Sequence, residues 1–150
     1  ERIANIRKEM TQTMEDGCGI YRMQDTMQQT CDKLAELRER FKNIELDDKS
    51  SVWNTDWLAA IELDYQLDVA QSIAHSAIQR KESRGAHQRL DGYEQRDDVN
   101  FLKHSDAFYV PGSAPRIAYA EVKITKSPPA ARVYGAAGEK ADAERKASNV

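Results

Sequence analysis

Asn54-Thr55-Asp56-Trp57-Leu58-Ala59-Ala60-Ile61-Glu62-Leu63-Asp64-Tyr65-Gln66-Leu67-Asp68-Val69-Ala70-Gln71-Ser72-Ile73-Ala74-His75-Ser76-Ala77 decides how this chain folds. Asn54 or Thr55 is a helix-capping residue, and Asp56 sits where an acidic side chain favours the first turn. Leu58, Ile61, Tyr65, Val69 and Ile73 recur at helical spacing and form one apolar face. Leu63, Leu67, Ala70, Ala74 and Ala77 form a second. A helix apolar on two sides is expected to be covered on two sides. The alanines permit a neighbouring helix to come close. Gly85 is the expected C′ residue of this helix, with Arg80, Lys81 and Arg84 near the negative end of its dipole.

Upstream, Ile3, Ile6, Met10 and Met14 predict a first helix over residues 2–17. Gly17-Cys18-Gly19 is expected to end it through the left-handed conformation open to glycine. Asp25 is expected to cap the second helix, with Gln28 three residues on in a capping-box arrangement. Met27, Cys31, Leu34, Leu37 or Arg38, and Phe41 give its apolar stripe, to about Asn43. The polar run 45–51 reads as a loop. Three helices with short connections pack most simply as an up-down bundle.

Downstream the period changes. Residues 107–110, then Pro111-Gly112-Ser113-Ala114-Pro115, then 117–122 predict strand, turn, strand. A lone hairpin is marginal in water, so it must pack on something. From Gly135 the chain is Ala, Glu, Lys and Asp with almost no large apolar residue, which predicts a disordered or frayed tail. The fold class is therefore mainly α. The expected parts are a three-helix bundle over 1–90, a loop and β-hairpin extension over 91–134, and a flexible tail over 135–150.

Composition narrows the function classes. The chain has 150 residues, 22 basic and 25 acidic, with net charge −3. That balance gives no reason to expect a nucleic-acid partner. No apolar run approaches the roughly 20 residues that span a bilayer. Cys18 and Cys31 read as two reduced buried thiols, because a helical domain of this size needs no staple and no Cys-x-x-Cys is present. The start at Glu1 without methionine reads as an excised piece.

The densest cluster of polar chemistry is Glu82-Ser83-Arg84-Gly85-Ala86-His87-Gln88-Arg89-Leu90-Asp91, followed by Glu94-Gln95-Arg96-Asp97-Asp98. His87 follows a glycine at a helix end, and a general base would need an orienting partner such as Asp91, Asp97 or Asp98. No spacing fixes one, so a hydrogen-bonded anchor is the favoured role. Arg84, Arg89 and Arg96 have the chemistry to bind a dicarboxylate. Internal pairing with Glu82, Asp91, Glu94, Asp97 and Asp98 is favoured instead. Asp97-Asp98 and Asp47-Asp48 lack the alternating ligand pattern of a calcium loop. His75 and His104 read as structural. Ser83 has no nucleophile elbow around it. Trp53 and Trp57 read as core or interface anchors. There is no P-loop and no Gly-x-Gly-x-x-Gly after a strand, so no catalytic, cofactor or metal residue is assigned within the chain.

The run from Glu82 to Asp98 resembles a signature of the C-terminal region of the flavoprotein subunit of fumarate reductase and succinate dehydrogenase. Ala35-Glu36-Leu37-Arg38-Glu39-Arg40-Phe41, Trp53-Asn54-Thr55-Asp56-Trp57, Asp68-Val69-Ala70, Phe101-Leu102-Lys103-His104 and Pro128-Pro129-Ala130-Ala131-Arg132-Val133-Tyr134 extend the resemblance, in the order of the bacterial fumarate reductase branch. The resemblance implies a spectrin-repeat-like bundle. It implies a parent oxidoreductase that interconverts fumarate and succinate at FAD in anaerobic respiration, with the flavin usually held covalently by a histidine. The family's proton-donating arginine and its substrate-holding residues lie in flavin-binding and capping domains, and none maps here. Glu82, Ser83, Arg84, Gly85, His87, Arg89, Asp91, Arg96, Asp97 and Asp98 carry over as signature and inter-domain packing only. The implied partners are the flavin domain of the same polypeptide, on which the hairpin extension could also pack, an iron–sulfur subunit and membrane anchor subunits. The implied location is extrinsic, on the cytoplasmic side of the bacterial inner membrane.

The leading reading is thus a structural C-terminal domain that is inactive alone. The alternative is a free-standing helical protein-interaction module. A small enzyme using His87 with an aspartate ranks last.

Overall fold

The computed structural model describes residues 1–126, 129, 130 and 135. Helices α1 (Ile3–Cys18), α2 (Gln24–Phe41) and α3 (Thr55–Gln79) pack pairwise into a three-helix up-down bundle. Strand β1 (Tyr21–Arg22) runs parallel to β2 (Gln88–Arg89). A short helix α4 (Asp98–Phe101) precedes an antiparallel hairpin of β3 (Lys103–Phe108) and β4 (Arg116–Glu121). The predicted tail beyond Gly135 lies outside the described residues.

The core is the seam that the helical period predicts. Ile6 of α1, Met27, Leu34 and Leu37 of α2, and Leu63, Leu67 and Ala74 of α3 are all fully buried. Asn54 caps α3, its side-chain oxygen accepting the Trp57 N–H at 2.7 Å.

Three local expectations are corrected. Gly17 lies within α1 and neither it nor Gly19 takes a positive φ. Gly17 is needed for close approach instead: a Cβ there would lie 1.8 Å from Thr30 Oγ1 and 2.8 Å from the Thr26 carbonyl oxygen of α2. Asp25 does not cap α2, whose N-cap is Met23. Helix α3 ends at Gln79, so Gly85 is not its C′ residue. Gly85 takes φ +60° in a two-residue turn, with Arg84 and His87 exchanging backbone hydrogen bonds of 2.9 and 3.0 Å. Glycine at the first central position alone is what a type II′ hairpin turn requires.

The hairpin strands also start and stop earlier than predicted, because Lys103 to Phe108 pair residue by residue with Glu121 to Arg116. His104 lies within β3, opposite Ala120. Arg80 fastens the hairpin to the bundle. Its guanidinium donates to the carbonyls of Phe101 (2.9 Å) and Lys103 (2.7 Å) and to Ser105 Oγ (2.9 Å). Phe101 and Tyr119 meet edge to face at 5.9 Å.

Only one apolar face of α3 is covered among the described residues. The Leu63–Ala77 face is buried in the bundle. On the opposite face Leu58, Tyr65, Val69 and Ile73 are exposed. Trp53 and Trp57 are exposed as well, so neither is a core residue of the bundle.

Candidate functional site

The signature segment folds back across the end of α3 as a closed set of charge pairs. Glu82 and Arg89 are both completely buried. Such charges survive burial only when paired and fully hydrogen-bonded. Glu82 Oε1 accepts from Arg80 and from Arg84 Nε (2.8 Å). Its Oε2 accepts from Arg84 Nη2 (3.1 Å) and from the Asp97 N–H (2.8 Å). Arg84 extends to Asp98 at 2.5 Å, and Arg96 reaches the other Asp98 oxygen at 2.9 Å. Burial alone would push the Glu82 carboxyl up, but these donors outweigh it and hold it below the usual range.

Arg89 forms a second knot. It grips Asp91 with two parallel bonds, Nε to Oδ1 at 2.8 Å and Nη2 to Oδ2 at 2.6 Å. Its Nη1 donates to the carbonyl oxygens of Ile78 and Arg80 at 3.3 Å each. The group that meets the exposed carbonyls of α3 is therefore Arg89. Arg80, Lys81 and Arg84 had been expected there. The guanidinium also lies 5.1 Å from the centre of the Tyr93 ring. Asp91 Oδ2 accepts the Gln24 N–H at 2.7 Å, which gives α2 its N-terminal partner from 67 residues away. The Arg89 pair is the main cause of a depressed Asp91 carboxyl.

His87 joins three elements. Arg22 Nη1 lies 2.9 Å from Nδ1, and Nε2 lies 3.0 Å from the Arg80 carbonyl oxygen. Arginine can only donate, so Nδ1 accepts, and the ring is neutral with its proton on Nε2. Burial first, then Arg22, Arg89 and Arg80, push its pKa below the ordinary 6.5. Among the described residues no carboxylate reaches the ring, and none is placed as the orienting partner of a general base. The folded-state value lies below the unfolded one. The stability this provides is therefore present above about pH 6.5 and lost as pH falls below it. Urea midpoints at pH 7.5 and 5.5 should show a larger acid loss for the wild type than for His87→Gln, whose amide can keep both bonds without titrating. Equal losses would mean His87 does not titrate in this range.

The remaining candidates disperse. Ser83 Oγ donates to the Tyr93 carbonyl and accepts the Arg89 N–H, both at 2.8 Å, which is a loop clasp. Asp97 caps α4, and Asp98 faces the arginines, so the adjacent carboxylates diverge. His75 is half-buried on α3, and burial lowers its pKa. Cys18 and Cys31 are buried free thiols, and burial pushes Cys31 up to about 11, far from a reactive thiolate. Arg22 and Gln24 are members of the network that local reading missed, because nothing in their spacing marks a contact 65 residues distant. A concavity of about 900 Å³ lies at the other end of α3 among Ile44, Leu46, Trp53, Trp57 and Leu58. Among the described residues no histidine, cysteine or arginine lines it.

These residues do not fit FAD. A dinucleotide needs a glycine-rich turn from a strand into a helix whose free N–H groups meet the pyrophosphate. Here the N-termini of α2, α3 and α4 are already taken by Asp91, Asn54 and Asp97. The one parallel strand pair among the described residues has two residues per strand.

Comparison with known proteins agrees with this geometry. The family described as the fumarate reductase flavoprotein C-terminus matches residues 7–134. The fumarate reductase flavoprotein subunit of a Serratia species is 64% identical over 95% of this chain, and that of Haemophilus influenzae 64% identical over 96%. Each is matched over 24% of its own length, so the chain spans about a quarter of these relatives. A solved Escherichia coli quinol fumarate reductase superimposes with a TM-score of 0.85 at 60% identity, covering 89% of this chain and 23% of that one.

Proposed function

Because the chain belongs to the family of fumarate reductase flavoprotein C-terminal domains, we propose that it is the structural C-terminal domain of a longer oxidoreductase that interconverts fumarate and succinate at FAD. One observation carries the domain's own role. Among the described residues the buried charges of the signature, Glu82 and Arg89, are engaged within the chain: Arg89 binds the end of α3 and Asp91, which meets α2, and Glu82 binds Arg84 and the Arg80 that clamps the hairpin. FAD, covalently attached through a histidine, then belongs to the upstream part. Glu82, Ser83, Arg84, Gly85, His87, Arg89, Asp91, Arg96, Asp97 and Asp98 act as the lock that shapes this domain for packing against the flavin domain.

The assembly includes an iron–sulfur subunit and membrane anchor subunits, with this domain extrinsic on the cytoplasmic side of the inner membrane. No helix among the described residues is long and apolar enough to cross a membrane. The domain division is read as a three-helix bundle over 1–90, a loop and β-hairpin extension over 91–134, and a tail over 135–150.

The purified 150-residue chain should be helical by circular dichroism, colourless, and inactive with fumarate and a reduced dye. Bound flavin or fumarate reduction by this chain alone would overturn the proposal.

A further inference from the structure

Beneath the tip of the hairpin, between α2 and α3, lies a cavity of about 440 Å³. Gln71 of α3 forms part of its wall and is only 9% exposed. Among the described residues its side-chain amide makes no hydrogen bond. A buried amide normally finds partners, because an unmet donor or acceptor in the interior costs free energy. His75, one helical turn on, opens into the same cavity. It is half-buried, and burial holds its pKa below the ordinary 6.5, so the ring is neutral at pH 7. Its two nitrogens likewise make no hydrogen bond among the described residues.

The other polar groups of the cavity are already engaged. Ser72 Oγ donates to the Asp68 carbonyl at 3.0 Å. Arg38 meets Asp68 at 3.2 Å, and Lys42 meets Glu39 at 2.6 Å. Asp32 stands exposed at the rim, where it accepts from the Gln28 amide at 2.9 Å. What is left unmet inside is therefore neutral: one amide and one imidazole. Ala35, Val110 and Pro115 add apolar wall. The roof is the turn 109–115, which closes on itself through the Ser113 N–H and the Val110 carbonyl at 3.2 Å. Among the described residues no hydrogen bond ties this turn to α2 or α3. The hairpin is fastened at its base, through Arg80.

We propose that this cavity binds a small neutral molecule with a flat apolar body and a carboxamide-like edge, a donor and an acceptor side by side. Gln71 presents the same two groups in the opposite order, so the two edges close a pair of parallel hydrogen bonds. The neutral His75 ring serves a further donor or acceptor of the ligand. The apolar body lies between Ala35 and the hairpin turn. A concavity of several hundred cubic ångströms, with apolar walls and a few fixed polar groups, is the usual form of a small-molecule site. A metal ion is a poor match, since no three His, Cys, Asp or Glu side chains gather anywhere among the described residues. Every wall described comes from this chain, so the site stands or falls separately from the reading of the chain as part of a flavoprotein.

The test is calorimetric titration of the protein at its natural length with benzamide. Acetophenone, of the same shape but without the N–H donor, is the reference. Benzamide should bind about tenfold more tightly, the scale of one buried hydrogen bond. Gln71→Leu should abolish the difference. Gln71→Glu keeps the size of the side chain but offers two acceptors and no donor. It should therefore invert the preference and take benzamidine, whose amidinium donates twice, about tenfold more tightly than benzamide. Circular dichroism of both variants should match the wild type. A merely structural Gln71 would give no such exchange of ligands. No binding of benzamide, binding no tighter than that of acetophenone, or a Gln71→Glu protein that still prefers benzamide would each overturn the inference. Benzamide binding that survives Gln71→Leu would place the ligand elsewhere and overturn it too.

Discussion

Replacing Arg89 by alanine should destabilise the domain by about 3–5 kcal/mol, the range for removing one partner of a buried ion pair. Arg89 is completely buried and makes two bonds to Asp91 while covering the carbonyls of Ile78 and Arg80. Its loss leaves a shielded carboxylate without its counter-charge and the end of α3 without its donor. It also loosens Asp91, which holds the first free N–H of α2. Two helices and the signature loop therefore weaken together. Arg89→Lys should recover little, because an ammonium cannot reproduce the parallel fork. The measurement is the urea midpoint by circular dichroism. A loss below about 1 kcal/mol, the scale of an exposed pair, would show that the knot contributes little.

Gly17→Ala should also destabilise, although alanine is the better helix former by about 1 kcal/mol. The added Cβ would lie 1.8 Å from Thr30 Oγ1 and 2.8 Å from the Thr26 carbonyl. Thr30 cannot easily turn away, because its hydroxyl bridges the carbonyls of Thr13 and Thr26 at 3.3 and 3.0 Å. The Thr26 carbonyl is backbone, so α1 and α2 must separate. Overpacking of this kind costs about 1–3 kcal/mol, and the upper part of that range is expected here. Adding Thr30→Ala should recover part of the loss. A neutral or stabilising Gly17→Ala would mean that the helices part freely at this point.

How much of this was legible in the sequence depends on how local each cause is. The helical seam was legible, because burial of Ile6, Leu34, Leu63 and Leu67 follows from periodicity alone. So was the Asn54 cap, which binds three residues away. Gly17 was misassigned because glycine serves two ends, a positive φ and a close approach, and sequence does not separate them; Gly85 takes the positive φ expected of it, but in a turn beyond the end of α3. Gly85 needs the first and Gly17 the second. Asp25 was a reasonable local cap for α2, but Asp91 supplies the contact from across the fold. The signature segment stood out as a charge cluster. Its arginines could not be ranked, since only the fold buries Arg89 and leaves Arg84 and Arg96 partly open. The two apolar faces of α3 were both visible, but a pattern of side chains does not say which partner covers each.

The most direct test of the central claim is to determine the reading frame upstream of Glu1 in the source gene. The account predicts that it continues back for several hundred residues, through a strand–turn–helix with a Gly-x-Gly-x-x-Gly fingerprint and a histidine positioned for flavin attachment. A frame that opens with methionine beside Glu1 would contradict it. The bundle would then stand alone as an interaction module.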